Sequence, residues 1–209
     1  MKEQLKKMKN IIISVWVLIA LGLSFLVGYV YSGLQFIPPH YHANFAMYID
    51  NQRVDFSDDR FMEDVAGCSL SGEKLPEDRA HLHENNQDTI HIHDEGVSWG
   101  HFFSNIGVVF DSQFLSGGNG QVFEETQDKE ITYILNWEKV RNPFNTLIGS
   151  EDRLLISYGA ESREEINAQY DKISTNAEEF NGKYDPGSCG GTNQTGLVLL
   201  ISELFGHKH

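Results

Sequence analysis

Residues 40–50 read HYHANFAMYID, and residues 81–93 read HLHENNQDTIHIH. In the first stretch Tyr41, Ala43, Phe45, Met47 and Ile49 alternate with His40, His42, Asn44, Ala46, Tyr48 and Asp50. Side chains at i and i+2 of a strand point to the same face, so this period of two predicts a strand half buried against a core. The second stretch reads as two short strands around the polar turn ENNQD. Paired so that His81 faces His93 and His83 faces His91, they would bring opposed Cβ atoms to about 4.5–5.5 Å and gather four imidazoles on one face. Leu82 and Ile92 would then point to the reverse side. A slip of one residue would send the two pairs to opposite faces.

Working outward, Asn51-Gln52 predicts a tight turn from which Arg53–Ser57 pairs back, followed by a polar, irregular stretch over 58–80. Ser98 is placed to cap a helix whose Trp99, Phe102, Phe103 and Ile106 fall at i, i+3, i+4 and i+7, with Gly107 to end it. Residues 131–137 (ITYILNW) and 154–158 (LLISY) predict further strands. Ser162-Arg163-Glu164-Glu165 is a capping box. Beyond it Ile166, Tyr170, Ile173, Ala177 and Phe180 predict one helix docking by a single stripe. Leu197, Leu200, Ile201, Leu204 and Phe205 outline a last amphipathic helix, too short to span a bilayer. The Gly-rich run at 117–120 lacks the lysine and hydroxyl of a phosphate loop and reads as a turn.

Charge divides the chain of 209 residues. Lys2, Lys6, Lys7 and Lys9 stand against Glu3 at the N-terminus, whereas from residue 32 onward acidic residues dominate and bring the whole to a formal net charge of −14. Such an acidic body repels phosphate backbones, which excludes nucleic acid as a partner, and attracts cations. Between the two lies Ile11–Tyr31 (IIISVWVLIALGLSFLVGYVY), an apolar run of bilayer-spanning length. By the positive-inside rule the expected arrangement is a single-pass anchor in the cell membrane, with a cytoplasmic N-terminus and residues 33–209 outside. A cleaved signal would have a shorter apolar region and a small-x-small exit, which GYVYSGLQF does not offer. Cys68 and Cys189 suit an oxidising compartment; a disulfide between them is expected, with free thiols or separate metal ligands as the alternatives.

Histidine carries the chemistry. Four i,i+2 pairs occur among nine histidines: His40/His42, His81/His83, His91/His93 and His207/His209. Several imidazoles packed together repel one another when protonated, and a shared metal ion removes that difficulty. Neutral imidazole is the commonest ligand for zinc, copper, nickel and iron(II), with copper and zinc leading by softness and affinity order. The primary candidate ligands are His81, His83, His91 and His93. His40, His42 and His101 are secondary candidates, and Glu84, Asp94 and Glu95 are candidates to orient ring nitrogens. His207 and His209 read as solvated surface residues. The chain lacks H-E-x-x-H, G-x-S-x-G and C-x-x-C motifs. His81, His83 and Glu84 offer one weak match to an iron(II) facial triad.

The run HYHANFAMYIDNQRVDF, then HLHENNQDTIHIH, the W-G-H-F-F helix, LLISYG and the later DPGSCGG resemble a group of uncharacterised membrane-anchored prokaryotic proteins with a histidine-rich outer domain. The hairpin, helix and later strands ending in SEDRLLISYG are also similar to a β-grasp domain, as in small sulfur-carrier proteins and cobalamin-carrier-like modules. The terminal Gly-Gly of the sulfur carriers is missing, so carrier chemistry is not implied. The expectation is an α+β protein in five parts: a basic tail (1–10), a transmembrane helix (11–31), a linker (32–39), a β-grasp-like mixed sheet with one packed helix (40–159), and a helical extension (160–209). Its expected role is a metal buffer or sensor. A metal-dependent oxygenase or hydrolase, and a pH-responsive interaction module, remain open as alternatives; no protein partner is indicated.

Overall fold

The computed structural model describes residues 2–35, 39–62, 75–82, 85–117 and 119–182. It divides into two units. The described part of the first is a single helix, α1 (Lys2–Gln35). Its apolar side chains are exposed, with Leu18, Phe25 and Val27 among the most open, and Glu3–Ser32 is long and apolar enough to cross a membrane.

The described part of the second unit is an α+β body. It contains, in chain order, β1 (Tyr41–Ile49), β2 (Gln52–Arg53), β3 (Ala80–His81), β4 (Thr89–Ile92), α2 (Trp99–Asn105), β5 (Val109–Phe110), β6 (Phe114–Ser116), β7 (Val122–Glu124), β8 (Glu130–Leu135), β9 (Glu138–Val140), β10 (Arg153–Gly159), α3 (Arg163–Asp171) and α4 (Ala177–Asn181). One mixed sheet runs β3-β4-β1-β10-β8-β9, with β2 on the end of β1. β1 and β10 pair in parallel and every other pair is antiparallel. A small antiparallel sheet, β5-β6-β7, is tied to it where the Tyr133 and Tyr158 hydroxyls donate to the Asp111 and Glu124 carbonyls.

Period-two alternation sorts β1 correctly, but the strand is not half buried: residues 42–48 are all buried. β1 lies between β4 and β10 with structure on both of its faces. Ala43, Phe45 and Met47 enter the main core with Leu82, Ile90 and Ile92 beneath α2, whose Trp99, Phe102 and Phe103 have no exposed surface. Phe45 meets Phe102 and Phe103 edge-on at 5.3 and 5.2 Å, a geometry worth about 0.5–1.5 kcal/mol per pair beyond area burial. Ala46 and Tyr48 face the other way and pack with Leu155 against Ile166, Tyr170 and Ile173 of the α3 region.

Local details follow the chemistry of single residues. Ser98 caps α2 by accepting the His101 amide, and Gly107 at φ +74° supplies the left-handed turn that ends it. The turn after β1 is at Asp50-Asn51, with φ of 49° and 61°, one residue earlier than the pattern suggested, and its return strand spans only Gln52–Arg53. Two successive positive φ values match the twist of a tight hairpin. The capping box forms as read, with Ser162 and Glu165 satisfying each other's backbone amides. The single helix expected over the 166–180 stripe is two, α3 and α4, and the α3 region packs on the face of the sheet opposite α2. The expected helix over 197–205, Cys68, Cys189, His83, Glu84, His207 and His209 lie outside the described residues.

Gly100 of α2 is pressed against Phe144: its amide donates to the Phe144 carbonyl at 2.7 Å, and a Cβ at this position would sit 2.5 Å from the ring. Gly100→Ala is therefore expected to destabilise the domain by about 1–3 kcal/mol despite the better helix propensity of alanine. Urea unfolding measures this, and an unchanged or raised midpoint would show that Phe144 moves aside without cost.

Candidate metal centre

The register decides which imidazoles meet. β3 pairs with β4 so that His81 faces His91, two residues away from the expected His93. A two-residue shift preserves the faces, so the histidines stay together. On its other side β4 pairs with β1, setting His42 opposite His91; continuing that register brings His40 to His93. The cluster thus spans three strands with β4 in the middle, and β1 contributes directly to it.

Among the described residues, five imidazole rings share the buried second face of the sheet. His42, His81, His91 and His93 are each no more than 4% exposed, and His40 is half buried. His40 stacks on His93 at 4.7 Å with planes 8° apart, and His81 stacks on His93 at 5.0 Å. His42 meets His91 edge-on at 4.3 Å and His40 at 4.8 Å. Among the described residues, His40, His91 and His93 each offer a ligand nitrogen, and these lie within 4.8 Å of one another. An ion at the centre of such a triangle would be no more than about 2.8 Å from each nitrogen, so closing by at most about 0.7 Å would reach the 2.0–2.1 Å of a zinc–imidazole bond. That movement is within side-chain rotation. Among the described residues the converging group is therefore His91 and His93, two primary candidates, with His40, a secondary one.

The remaining histidines take defined places. His81 Nδ1 lies 3.1 Å from the Glu77 carbonyl, which can only accept, so Nδ1 carries the proton and Nε2 the lone pair. His42 Nδ1 and its backbone amide both reach Asn181 Oδ1, at 2.8 and 2.9 Å, while His42 Nε2 is 3.0 Å from His91 Nδ1. His101 is displaced from the cluster: it belongs to α2, which covers the opposite, apolar face, and its Nε2 donates to the Pro76 carbonyl at 2.9 Å. Asp94 binds Arg79 Nε at 3.1 Å, and Arg79 also reaches the Glu95 carbonyl. Among the described residues, the Glu77 carbonyl orients His81 and the Asn181 side-chain amide orients His42.

α4 closes the face. Phe180 packs on His42 and His91 at 5.5 and 6.0 Å, and Asn181 holds His42. The helix is started from the strand below it, because Asn44 Oδ1 accepts the Ala177 amide while Asn44 Nδ2 donates to Asn176 Oδ1. Asn176 also accepts from Thr89 Oγ1 and Ser174 Oγ. These side chains offer the backbone an alternative to helical hydrogen bonding, which explains the break between α3 and α4. A cleft of about 350 Å³ opens beside His40, walled by Tyr41, Ser150, Glu151, Glu178 and Asn181. Burial, and then the Asp152 and Glu95 carboxylates, push the Tyr41 hydroxyl above its ordinary range, so it stays a neutral donor to the Ile148 carbonyl.

No protein-family model, curated protein or solved structure matches this chain. The centre is read from its own chemistry: a buried imidazole triad able to hold a metal ion, in an acidic protein that favours cations.

Asn44→Ala strips Asn176, Thr89 and the first amide of α4 of a shared partner, at a cost of about 1–3 kcal/mol per buried group left unsatisfied. Faster hydrogen exchange at Ala177 and Phe180 than in the parent protein is the expected result. Unchanged protection of those amides would show that α4 does not depend on the strand beneath it.

Proposed function

We propose that this chain is a membrane-anchored extracytoplasmic protein that binds a divalent transition metal, copper or zinc, through its histidine face and acts as a metal buffer or sensor. The observation that carries the reading is the approach of the His40, His91 and His93 ligand nitrogens to within 4.8 Å of one another. An all-imidazole donor set suits zinc and copper(II) and is a poor host for calcium or magnesium, which take oxygen ligands. His81, with its Nε2 lone pair and its ring stacked on His93, is a candidate for a fourth ligand, and His42 supports His91 from behind.

The anchor reading rests on the long apolar α1, with its lysines on one side of the apolar run and the acidic body on the other. A β-grasp places its first and last strands parallel at the centre of the sheet with a helix across one face. The order β4-β1-β10-β8-β9, with β1 and β10 parallel and α2 beneath, supports that fold and is compatible with the proposed kinship to histidine-rich membrane-anchored proteins.

One observation favours a second reading. The cleft beside His40 gives a small molecule a way to a metal held there, as an open coordination position in a metal-dependent oxygenase or hydrolase would require.

Detergent-solubilised full-length chain, equilibrated with zinc or copper(II) and then dialysed, is expected to retain one ion per chain by elemental analysis. His91→Ala and His93→Ala should each weaken binding beyond the roughly 10–100-fold that loss of a merely supporting partner costs. His207→Ala with His209→Ala should leave it intact. Stoichiometric metal in a His40, His91 and His93 triple alanine variant would refute the assignment.

A further inference from the structure

His42 links the covering helix to the triad: its Nδ1 reaches Asn181 and its Nε2 reaches His91, and these bonds determine more than its own position. Asn181 at the end of α4 can be oriented without ambiguity. Its Oδ1 lies 2.9 Å from the backbone amide of His42, which can only donate. Its Nδ2 lies 3.1 Å from Glu151 Oε1, which as a carboxylate only accepts, and 3.0 Å from Ser150 Oγ. The side-chain oxygen therefore faces His42, and the Nδ1 at 2.8 Å from it must carry the proton.

A neutral imidazole has one N–H, so the Nε2 of His42 holds a lone pair. That lone pair lies 3.0 Å from His91 Nδ1, which must then be the donor. By the same rule the lone pair of His91 falls on Nε2, the nitrogen on the far side of the ring from His42. Each step follows from the one before. The chain begins at a carboxylate and ends at a nitrogen able to bind a cation.

We infer that Asn181, oriented by Glu151, is a positioning residue that works through His42 to lock His91 in the tautomer presenting Nε2. The inference rests on the reading of His91 as a metal ligand and names what prepares it. A partner hydrogen-bonded to the back of a ligating histidine sets its tautomer and ring angle and raises the basicity of the ligating nitrogen. Here the partner is another histidine, and behind that an amide on the covering helix, so α4 communicates with the centre through protons already in place. His81 reaches the same tautomer independently, through the Glu77 carbonyl.

The test is long-range proton–nitrogen correlation of the ¹⁵N-labelled full-length chain, metal-free, above the pH range in which imidazoles protonate. Protonated-type Nδ1 and lone-pair-type Nε2 signals are expected for both His42 and His91. A lone pair on Nδ1 of His91 in the parent protein would overturn the inference without need of any variant. Asn181→Leu is expected to leave His91 as a tautomer mixture and to weaken zinc binding about 10–100-fold. Asn181→Asp combined with Glu151→Gln, which keeps an acceptor toward His42 and a donor–acceptor pair behind it, should restore both. An Asn181→Leu protein with the parent tautomer and affinity would contradict the relay. Correct tautomers in a parent protein that binds no zinc or copper would leave the relay standing and defeat the proposed function.

Discussion

Removing an imidazole from water obliges the fold to supply partners for its nitrogens, because a buried polar group left unsatisfied costs about 1–3 kcal/mol. This protein accepts that obligation repeatedly on a single face of one sheet: His42, His81, His91 and His93 are buried there and His40 lies at the edge. Much of the surrounding structure follows from it. The turn at Glu77–Arg79 presents a carbonyl to His81. α4 brings an amide to His42 and an aromatic ring over His42 and His91. His40, His91 and His93 each bring a ligand nitrogen to within 4.8 Å of the other two.

The second face of the sheet is consequently divided. Along β1, Ala46 and Tyr48 meet hydrocarbon from the α3 region, whereas His42 and Asn44 meet polar groups. The boundary falls at Asn44, whose amide links β1, β4 and the start of α4. The opposite face needs no such device. Leu82, Ile90 and Ile92 stand back to back with the histidines and disappear under Trp99, Phe102 and Phe103. An apolar core on one side gives the rigid backing that a cluster of polar rings on the other requires, since positions held by packed strands are more precise than positions on loops.

How much of this could be read from the residues depends on the range of the interaction concerned. That His81, His91 and His93 share a face follows from period-two geometry, and any even register would have preserved it. Ser98, Gly107 and the Ser162–Glu165 box were legible because caps and turns are local. The particular register of β3 on β4 was not, because a slip by two residues keeps every side chain on its own face, so the alternating pattern does not distinguish the His81–His91 pairing from the His81–His93 one. His40 entered the triad because β1 lies directly beside β4, although His42 and His91 are 49 residues apart. The stripe from Ile166 to Phe180 is continuous in sequence, yet the helix breaks where Ser174 and Asn176 bind each other and Asn44. Asn181 carries no signal in the chain at all; its importance arises only once α4 is laid across the histidines.

Metal binding at this face requires imidazoles from neighbouring strands to surround one cation. Diffraction from crystals of the full-length chain grown with zinc, recorded on either side of the zinc absorption edge, tests it most directly. One strong anomalous peak is expected within about 2.0–2.1 Å of nitrogens from His40, His91 and His93. A peak found only elsewhere on the molecule, or none between those three rings at saturating zinc, would contradict it.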